Sequence, residues 1–261
     1  MAAVSIFDIF KIGIGPSSSH TVGPMKSANA FVADLATRGE SVATVKVTVH
    51  GSLAWTGKGH GTDSAIILGL VGLQPETIDP DEVDGQLNRV RQSRRLVIPE
   101  IGEIEFDPET HIVFDYAEEL PRHTNGMCFR AYAPSGEMVA EEQYYSLGGG
   151  FIARNDEPEA QSQSGTPPFV FDSGDSLLAV AAENDLSIAE LVYRNEQHWR
   201  TSDDIDRRLE SIWEAMSACI DRGLVTEGVL PGSMQVKRRA PKLFRRLSDR
   251  GDRSAQSRYG W

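Results

Sequence analysis

The chain has 261 residues, of which 40% are hydrophobic and 25% charged, a composition that excludes a wholly disordered chain and supplies apolar material for a core. Its only two cysteines, Cys128 and Cys219, exclude a disulfide-rich secreted scaffold and any site built from four cysteine ligands. The net charge is −12; residues 237–261 carry nine basic and two acidic residues, a local +7 that leaves −19 on the rest, which argues against general nucleic-acid binding.

Neither a leader nor a membrane span is expected from the sequence. The first residues have no basic start of the kind that opens a secretory signal peptide. The longest apolar run, residues 65–73, is shorter than the ~20 residues that a membrane-spanning helix needs. We therefore expect a cytoplasmic protein that binds neither a membrane nor nucleic acid. The basic segment at 236–246 is expected to be solvated or to link to something else.

Helical and strand patterns alternate through the first part of the chain. Helical patterns have apolar residues three and four positions apart, whereas strand patterns alternate at every second residue. Glycine-rich sequence predicts a loop at 51–61. The predicted elements are a helix at 24–38 ended by Gly39, a strand at 41–50, helices at 62–73 and about 80–92, and strands at 96–106, 111–116, 127–133, 137–146 and 151–153.

The second part of the chain has only helical patterns. Ser187 and Glu190 have the spacing of a capping box at the start of one helix, and Gly223 is expected to end another. The predicted helices span 173–184, 187–197 and 203–222.

The break between the two parts is polar and rich in proline, which predicts a linker. The alternation of helices and strands before it predicts an α/β (α+β) domain with a mixed or antiparallel sheet. The predicted domains are therefore an N-terminal domain at 1–154, a linker at 155–171, and an incomplete α-helical domain at 172–261 that ends in a basic tail.

A serine-rich motif directly precedes the first long helix, where Ser17, Ser18, Ser19, His20 and Thr21 follow one another. Unpaired N–H groups and the positive end of the helix dipole favour anions such as a carboxylate at this position, and the hydroxyl groups add donors. The alternative is that the motif only caps the helix, for which one serine would be sufficient.

Two later segments also carry histidine. His60 lies between glycines before a helix that Thr62 or Asp63 is expected to cap, and His123 precedes a turn at Asn125. Glycines allow the backbone to approach a ligand closely, and a histidine there titrates near neutrality. The alternatives are an ordinary surface histidine at 60 and a neighbour of a turn at 123. The triple glycine at 148–150 predicts a tight bend or close packing.

Four motifs along the chain together resemble those of a known enzyme family. In chain order they are IFKIGIGPSSSHTVGPMKSA, GSLAWTGKGHGTD, HTNGM and YYSLGGGFI. In order and spacing they resemble the N-terminal β domain of the iron–sulfur-dependent bacterial L-serine dehydratases, or L-serine ammonia-lyases. The later segment GVLPGSMQVKRRAPKLFRRL resembles the start of the α domain of that family, so the resemblance covers about residues 4–248.

The resemblance implies a lyase that converts L-serine to pyruvate and ammonia without pyridoxal phosphate. It implies a [4Fe–4S] cluster, held by three cysteines, whose open iron binds the hydroxyl group of serine as a Lewis acid. His60 and His123 are the implied catalytic residues, with His60 as the base that removes the α-proton and His123 as an orienting or acid–base partner. The residues implied to hold the substrate are Ser17, Ser18, Ser19, His20, Thr21, Thr62 and Asn125.

The chain departs from the family pattern at the cluster. Cys128 and Cys219 fall in a predicted strand and a predicted helix, match no cluster position, and are expected to be core thiols. We therefore expect a truncated or frame-shifted form that is inactive alone and needs an α domain or an α subunit. The complete enzyme is expected to be a homo-oligomer in which serine can also act as an allosteric ligand.

Three alternatives remain open at this stage. The first is a non-catalytic serine-binding regulatory module, and the second is the β subunit of a two-chain enzyme. The third is a mononuclear metal enzyme with His20, His60 and His123 as ligands.

Overall fold

The computed structural model describes residues 5–157, 165–230 and 235–249. Its contacts divide the chain into two compact units, Met1–Ile205 and Asp206–Trp261, and each unit is described by itself. The predicted domain boundaries at 154 and 172 remain predictions, because part of the predicted linker, residues 158–164, lies outside the described residues.

The helices and strands are numbered in chain order. A π-helical turn, Ser18–Val22, runs directly into the second α-helix. The α-helices are α1 (Ile6–Ile9), α2 (Gly23–Arg38), α3 (Gly51–His60), α4 (Thr62–Leu70), α5 (Val83–Ser93), α6 (Pro108–His111), α7 (Gly174–Glu183), α8 (Ile188–Glu196), α9 (Ser202–Val225) and α10 (Ala240–Asp249). The strands are β1 (Thr44–Val49), β2 (Arg95–Ile98), β3 (Gly102–Glu105), β4 (Ile112–Phe114), β5 (Gly126–Tyr132), β6 (Met138–Gly148) and β7 (Phe151–Arg154).

A seven-stranded mixed sheet forms the centre of the first unit. Its strand order is β2-β3-β1-β5-β6-β7, and β4 pairs with β1 as well. β1 is antiparallel to β5 and parallel to both β3 and β4, whereas the remaining pairs are antiparallel. The sheet and its helices confirm the predicted α/β class with a mixed sheet.

One face of the sheet packs against α2 and α4 to form the core. The alternation predicted for the first strand is confirmed, because Val45, Val47 and Val49 of β1 are fully buried. α2 contacts both α4 and β6. The two helices approach so closely at Gly69 that a Cβ there would lie 2.2 Å from the carbonyl oxygen of Met25, so this position requires glycine.

The glycine-rich segment that was predicted to be a loop is a helix, α3. Leu53, Ala54 and Gly57 give it a buried side, and burial of that side stabilises a helix that glycine content alone would disfavour. Gly61 adopts a left-handed φ of 68° and separates α3 from α4. The predicted cap at Thr62 or Asp63 is therefore wrong, since Gly61 is the N-cap residue of α4.

Three further features differ from the predictions. The single strand predicted at 96–106 is a hairpin of β2 and β3, because Glu100 and Gly102 both adopt positive φ and reverse the chain. Gly223 does not end α9, which continues to Val225. The basic segment also contributes to a helix that was not predicted, α10.

The helices α7 and α8 confirm two of the predicted helices. Ser187 and Glu190 form the predicted capping box, in which the Glu190 N–H donates to the Ser187 hydroxyl oxygen at 3.2 Å. α8 is tied to the N-terminal segment, because the buried carboxylate of Glu196 accepts hydrogen bonds from the Ser5 hydroxyl at 2.9 Å and the Ile6 N–H at 2.7 Å. Across the described ranges, no helix is long and apolar enough to cross a bilayer.

Candidate functional site

The serine-rich motif and the first histidine segment meet in the structure. The imidazole rings of His20 and His60 have centroids 5.0 Å apart, with 40° between their planes. Two buried hydroxyl groups hold the segments together through a crossed pair of hydrogen bonds, in which each segment donates to a backbone carbonyl oxygen of the other. Thr21 Oγ1 donates to the carbonyl oxygen of His60 at 2.9 Å, and Thr62 Oγ1 donates to the carbonyl oxygen of His20 at 2.5 Å.

The hydrogen bond of His60 determines which ring nitrogen carries its proton. Nδ1 lies 2.9 Å from the carbonyl oxygen of Thr56, and because a carbonyl oxygen can only accept, Nδ1 carries the hydrogen. In the neutral ring, Nε2 is then a hydrogen-bond acceptor. The side chain is half-buried at the end of α3, where Nε2 is the nitrogen suited to accept a proton.

His20 is held between two serine hydroxyl groups. Its Nδ1 lies 2.9 Å from Ser19 Oγ and its Nε2 lies 3.2 Å from Ser52 Oγ. Burial and the neighbouring His60 lower the pKa of His20, and the interaction with Ser52 opposes that shift only in part. His20 is therefore neutral at pH 7, so the pair of histidines does not carry two positive charges there.

The remaining serines of the motif have different positions. Ser17 is the N-cap of the π-helical turn, because its hydroxyl oxygen accepts a hydrogen bond from the His20 N–H at 3.1 Å. This confirms the capping interpretation for one serine, whereas Ser19 contacts the His20 ring instead. Ser18 is exposed, and within the described residues its hydroxyl has no hydrogen-bond partner. Ser18 is thus the serine available to a ligand.

His123, in the second histidine segment, has the opposite tautomer to His60. The N–H of Asn125 donates to His123 Nδ1 at 3.0 Å, so in the neutral ring the proton of His123 lies on Nε2. Asn125 Nδ2 donates to the carbonyl oxygen of Ser146 at 3.1 Å. Among the described residues, Asn125 Oδ1 is buried and has no partner. His60 thus presents an acceptor nitrogen and His123 a donor nitrogen.

Ser52 connects this segment to the histidine pair. Its N–H donates to both the carbonyl oxygen and Oγ1 of Thr124, at 2.9 Å and 3.1 Å. Gly51 has a φ of 53°, and a Cβ at this position would lie 2.2 Å from the carbonyl oxygen of Thr124. The described contacts therefore run from His60 through His20 and Ser52 to Thr124, and no direct contact between His123 and His60 is among them.

Three residues of this arrangement were not identified in the sequence: Ser52, Thr124 and Ser146. Ser52 and Ser146 lie inside the quoted motifs, and Thr124 lies between the two residues of HTNGM that were singled out. Their positions inside the motifs were the available signal. Their roles depend on contacts between distant segments, which spacing alone does not reveal.

The cysteines do not fit the implied iron–sulfur cluster. Cys128 is buried in β5, where burial raises the pKa of its thiol to about 11, as expected for a core thiol. The same expectation is wrong for Cys219, which is exposed on α9. Two cysteines cannot supply three thiolate ligands, so the cluster is not held by cysteines of this chain alone.

The alternative of a three-histidine metal site does not match the geometry. In the part of the chain that the structure describes, His20, His60 and His123 do not bring three possible ligand atoms within 4.8 Å of one another.

Two known family models match parts of the chain. The family model "Serine dehydratase beta chain" matches residues 5–157, and the model "Serine dehydratase alpha chain" matches residues 183–258. The chain belongs to the serine dehydratase family. This confirms the resemblance found in the sequence, and the first match contains every histidine and serine of the candidate site.

Several curated members of the serine dehydratase family are similar to the chain. L-serine dehydratase from Streptomyces coelicolor is 43% identical over 258 residues, which cover 97% of this chain and 57% of the relative. L-serine dehydratase 1 from Escherichia coli is 45% identical over 249 residues, which cover 94% and 54% respectively. The relative from Haemophilus influenzae is 39% identical, with coverages of 94% and 54%. The chain thus spans about half the length of these relatives.

Proposed function

We propose that this chain contributes the serine-binding and proton-transferring residues of an L-serine dehydratase, which converts L-serine to pyruvate and ammonia. The observation that carries the proposal is that His60 and His123 have opposite tautomers. His60 presents an acceptor Nε2, and His123 presents a donor Nε2. An elimination requires a base for the α-proton and a donor for the oxygen of the substrate. The family membership and the names of the relatives support the reaction class.

His60 is the proposed base. Its Nε2 accepts the α-proton of serine, and the electron pair of that C–H bond forms a double bond between Cα and Cβ as hydroxide leaves Cβ. The proton held by His60 then neutralises the hydroxide to water, which restores the base. The product, 2-aminoacrylate, tautomerises to an imine, and water hydrolyses the imine to pyruvate and ammonia. The Nδ1–H bond to Thr56 keeps the His60 ring in the tautomer that this step needs.

The other site residues divide into those that bind and those that position. Ser18 has an exposed hydroxyl that suits the carboxylate of serine, and the buried Oδ1 of Asn125 is an acceptor that suits the ammonium group. Thr21 and Thr62 use their hydroxyl protons in bonds to carbonyl oxygens. We therefore assign the two threonines to holding the histidine segments rather than to contacting the substrate.

This chain cannot by itself supply three cysteine ligands to an iron–sulfur cluster. Its two cysteines are a buried thiol in β5 and an exposed thiol on α9, so no step is assigned here to a cluster. We propose that an α domain or an α subunit supplies such ligands to the complete enzyme in the cytoplasm, and that the chain alone does not turn over serine.

A titration calorimetry experiment tests the binding part of the proposal. L-Serine is expected to bind to the full chain, and D-serine is expected to bind at least tenfold more weakly. The substitutions Ser18→Ala and Asn125→Ala are expected to weaken L-serine binding. Ser248→Ala, at an exposed position of α10 outside the quoted motifs, is the control. Absence of L-serine binding by the unmodified chain would contradict the proposal.

A regulatory serine-binding module is the second candidate. The number of cysteines favours it, because a chain with two thiols cannot by itself hold a cluster on three. Both candidates predict serine binding. They differ in whether a supplied α domain restores turnover that depends on His60.

A further inference from the structure

A buried histidine outside the serine site has an unused ring nitrogen. His50 lies between β1 and α3, and its side chain is only 5% exposed. Within the described residues its Nδ1 is buried and has no hydrogen-bond partner. Leaving a buried polar atom unpaired costs free energy. A ligand that pairs with Nδ1 would remove that cost.

Two carboxylates face this nitrogen. Asp115 Oδ2 and Glu118 Oε2 each lie 3.9 Å from His50 Nδ1. This separation is too long for a hydrogen bond. The three possible ligand atoms all lie within 4.8 Å of one another, and they form the one such group in the described ranges.

The backbone fixes the two acidic residues in place. Asp115 Oδ1 accepts hydrogen bonds from the N–H groups of Ala117 and Glu118, at 2.8 Å and 3.1 Å. These bonds lower the pKa of Asp115, and they leave Oδ2 directed at His50. The loop is anchored to the end of β1, because the Asp115 N–H donates to the carbonyl oxygen of Val49 at 2.9 Å.

We propose that His50, Asp115 and Glu118 bind a divalent transition-metal ion such as Zn²⁺ or Co²⁺. An imidazole nitrogen with two carboxylate oxygens is a mixed donor set that suits these ions, whereas Mg²⁺ and Ca²⁺ favour oxygen ligands alone. Metal–ligand distances of ~2.1 Å place tetrahedral ligand atoms ~3.4 Å apart. Glu118, with a side chain 65% exposed, can rotate toward the ion. A shift of ~0.5 Å brings Asp115 Oδ2 to that separation from His50 Nδ1, and water completes the coordination.

The bound ion connects two segments of the serine site without touching the substrate. His50 lies two residues before Ser52, and the loop with Asp115 and Glu118 leads to Thr124, which accepts the hydrogen bond of Ser52. Gly51 joins the same segments, since its N–H donates to the carbonyl oxygen of Glu118 at 3.4 Å. The ion is therefore a structural link between the start of α3 and the loop that precedes β5.

Metal titration of the full chain tests this proposal. After treatment with a chelator, the chain is titrated with Co²⁺, followed by visible absorption, and with Zn²⁺, followed by calorimetry. One equivalent is expected to bind, and His50→Gln, Asp115→Asn and Glu118→Gln are expected to weaken binding at least tenfold. Glu119→Gln is the matched control, because Glu119 is an exposed neighbour outside the group, and its binding is expected to equal that of the unmodified chain.

Circular dichroism and thermal unfolding distinguish loss of metal binding from loss of folding. Because Glu118 is exposed, Glu118→Gln is expected to fold normally, as circular dichroism checks. Zn²⁺ is expected to raise the Tm of the unmodified chain and not that of Glu118→Gln, since binding to the folded state stabilises it. The proposal is overturned if the unmodified chain binds no more Co²⁺ than Glu118→Gln, or if His60→Gln abolishes binding while Glu118→Gln retains it.

Discussion

The rings of His20 and His60 pack against each other, with centroids 5.0 Å apart, although the two residues belong to separate sequence motifs. Their contact exists because each backbone carbonyl accepts a hydroxyl proton from the segment of the other histidine. The geometry of the proposed base therefore depends on two threonine side chains, and that dependence can be measured.

Removal of one hydroxyl group of the crossed pair is expected to destabilise the chain. Thr62→Val keeps the shape of the side chain but removes the part-buried hydrogen bond to the carbonyl oxygen of His20, which costs about 0.5–1.5 kcal/mol. Thr62→Ser keeps the hydroxyl group and is the control. Urea unfolding measures both, and an equal free energy of unfolding for the valine and serine variants would contradict the assigned role.

The junction between His50 and Ser52 is expected to require glycine. Gly51→Ala places a Cβ at a left-handed φ of 53° and 2.2 Å from the carbonyl oxygen of Thr124, so we expect a loss of about 2 kcal/mol or more in the free energy of unfolding. Gly85→Ala is the matched control, because Gly85 lies in α5 with nothing within 4 Å of the added Cβ. It is expected to stabilise by roughly 0.5–1 kcal/mol; equal effects at the two positions would refute the explanation.

Acidification is expected to destabilise the chain through two histidines. Burial, with the nearby charges of His60 and Lys46 respectively, lowers the pKa values of His20 and His111 below the usual 6.5. Below pH 6.5 the unfolded chain therefore binds more protons than the folded chain, and the free energy of unfolding falls as the pH decreases toward the folded pKa values.

The measurement for this prediction is denaturant unfolding at pH 7.0, 6.5, 6.0 and 5.5. His20→Gln and His111→Gln are each expected to flatten the dependence of the free energy of unfolding on pH, and the double variant is expected to flatten it further. A double variant with the same slope as the unmodified chain would show that other groups are responsible.

The long periodic elements were predictable from sequence, whereas α3 was not. The alternation of Val45, Val47 and Val49 identified β1, because burial of one face follows directly from a period of two. In α3, the glycines at 57 and 59 obscured the helical pattern, and the helix depends on tertiary burial of Leu53 and Ala54. Local propensity does not contain that contribution.

The segments that meet at the candidate site were identifiable from sequence, but the connections between them were not. The motifs identified His20, His60 and Thr62 as candidates, yet the Thr62 hydroxyl that was expected to cap a helix bonds a distant carbonyl instead. The link from His20 to Ser52 and Thr124 joins three segments through tertiary contacts. The tautomers of His60 and His123 likewise depend on hydrogen bonds that only the folded chain forms.

Pyruvate formation in a reconstituted enzyme tests the central claim most directly. The part of the Streptomyces coelicolor relative that lies beyond its match to this chain would be supplied as a separate chain, without oxygen and with iron and sulfide. We predict pyruvate from L-serine only when both chains are present, and a 10²–10⁴-fold lower kcat for His60→Gln. Pyruvate formation at an unchanged rate by His60→Gln would contradict the assignment of His60 as the base.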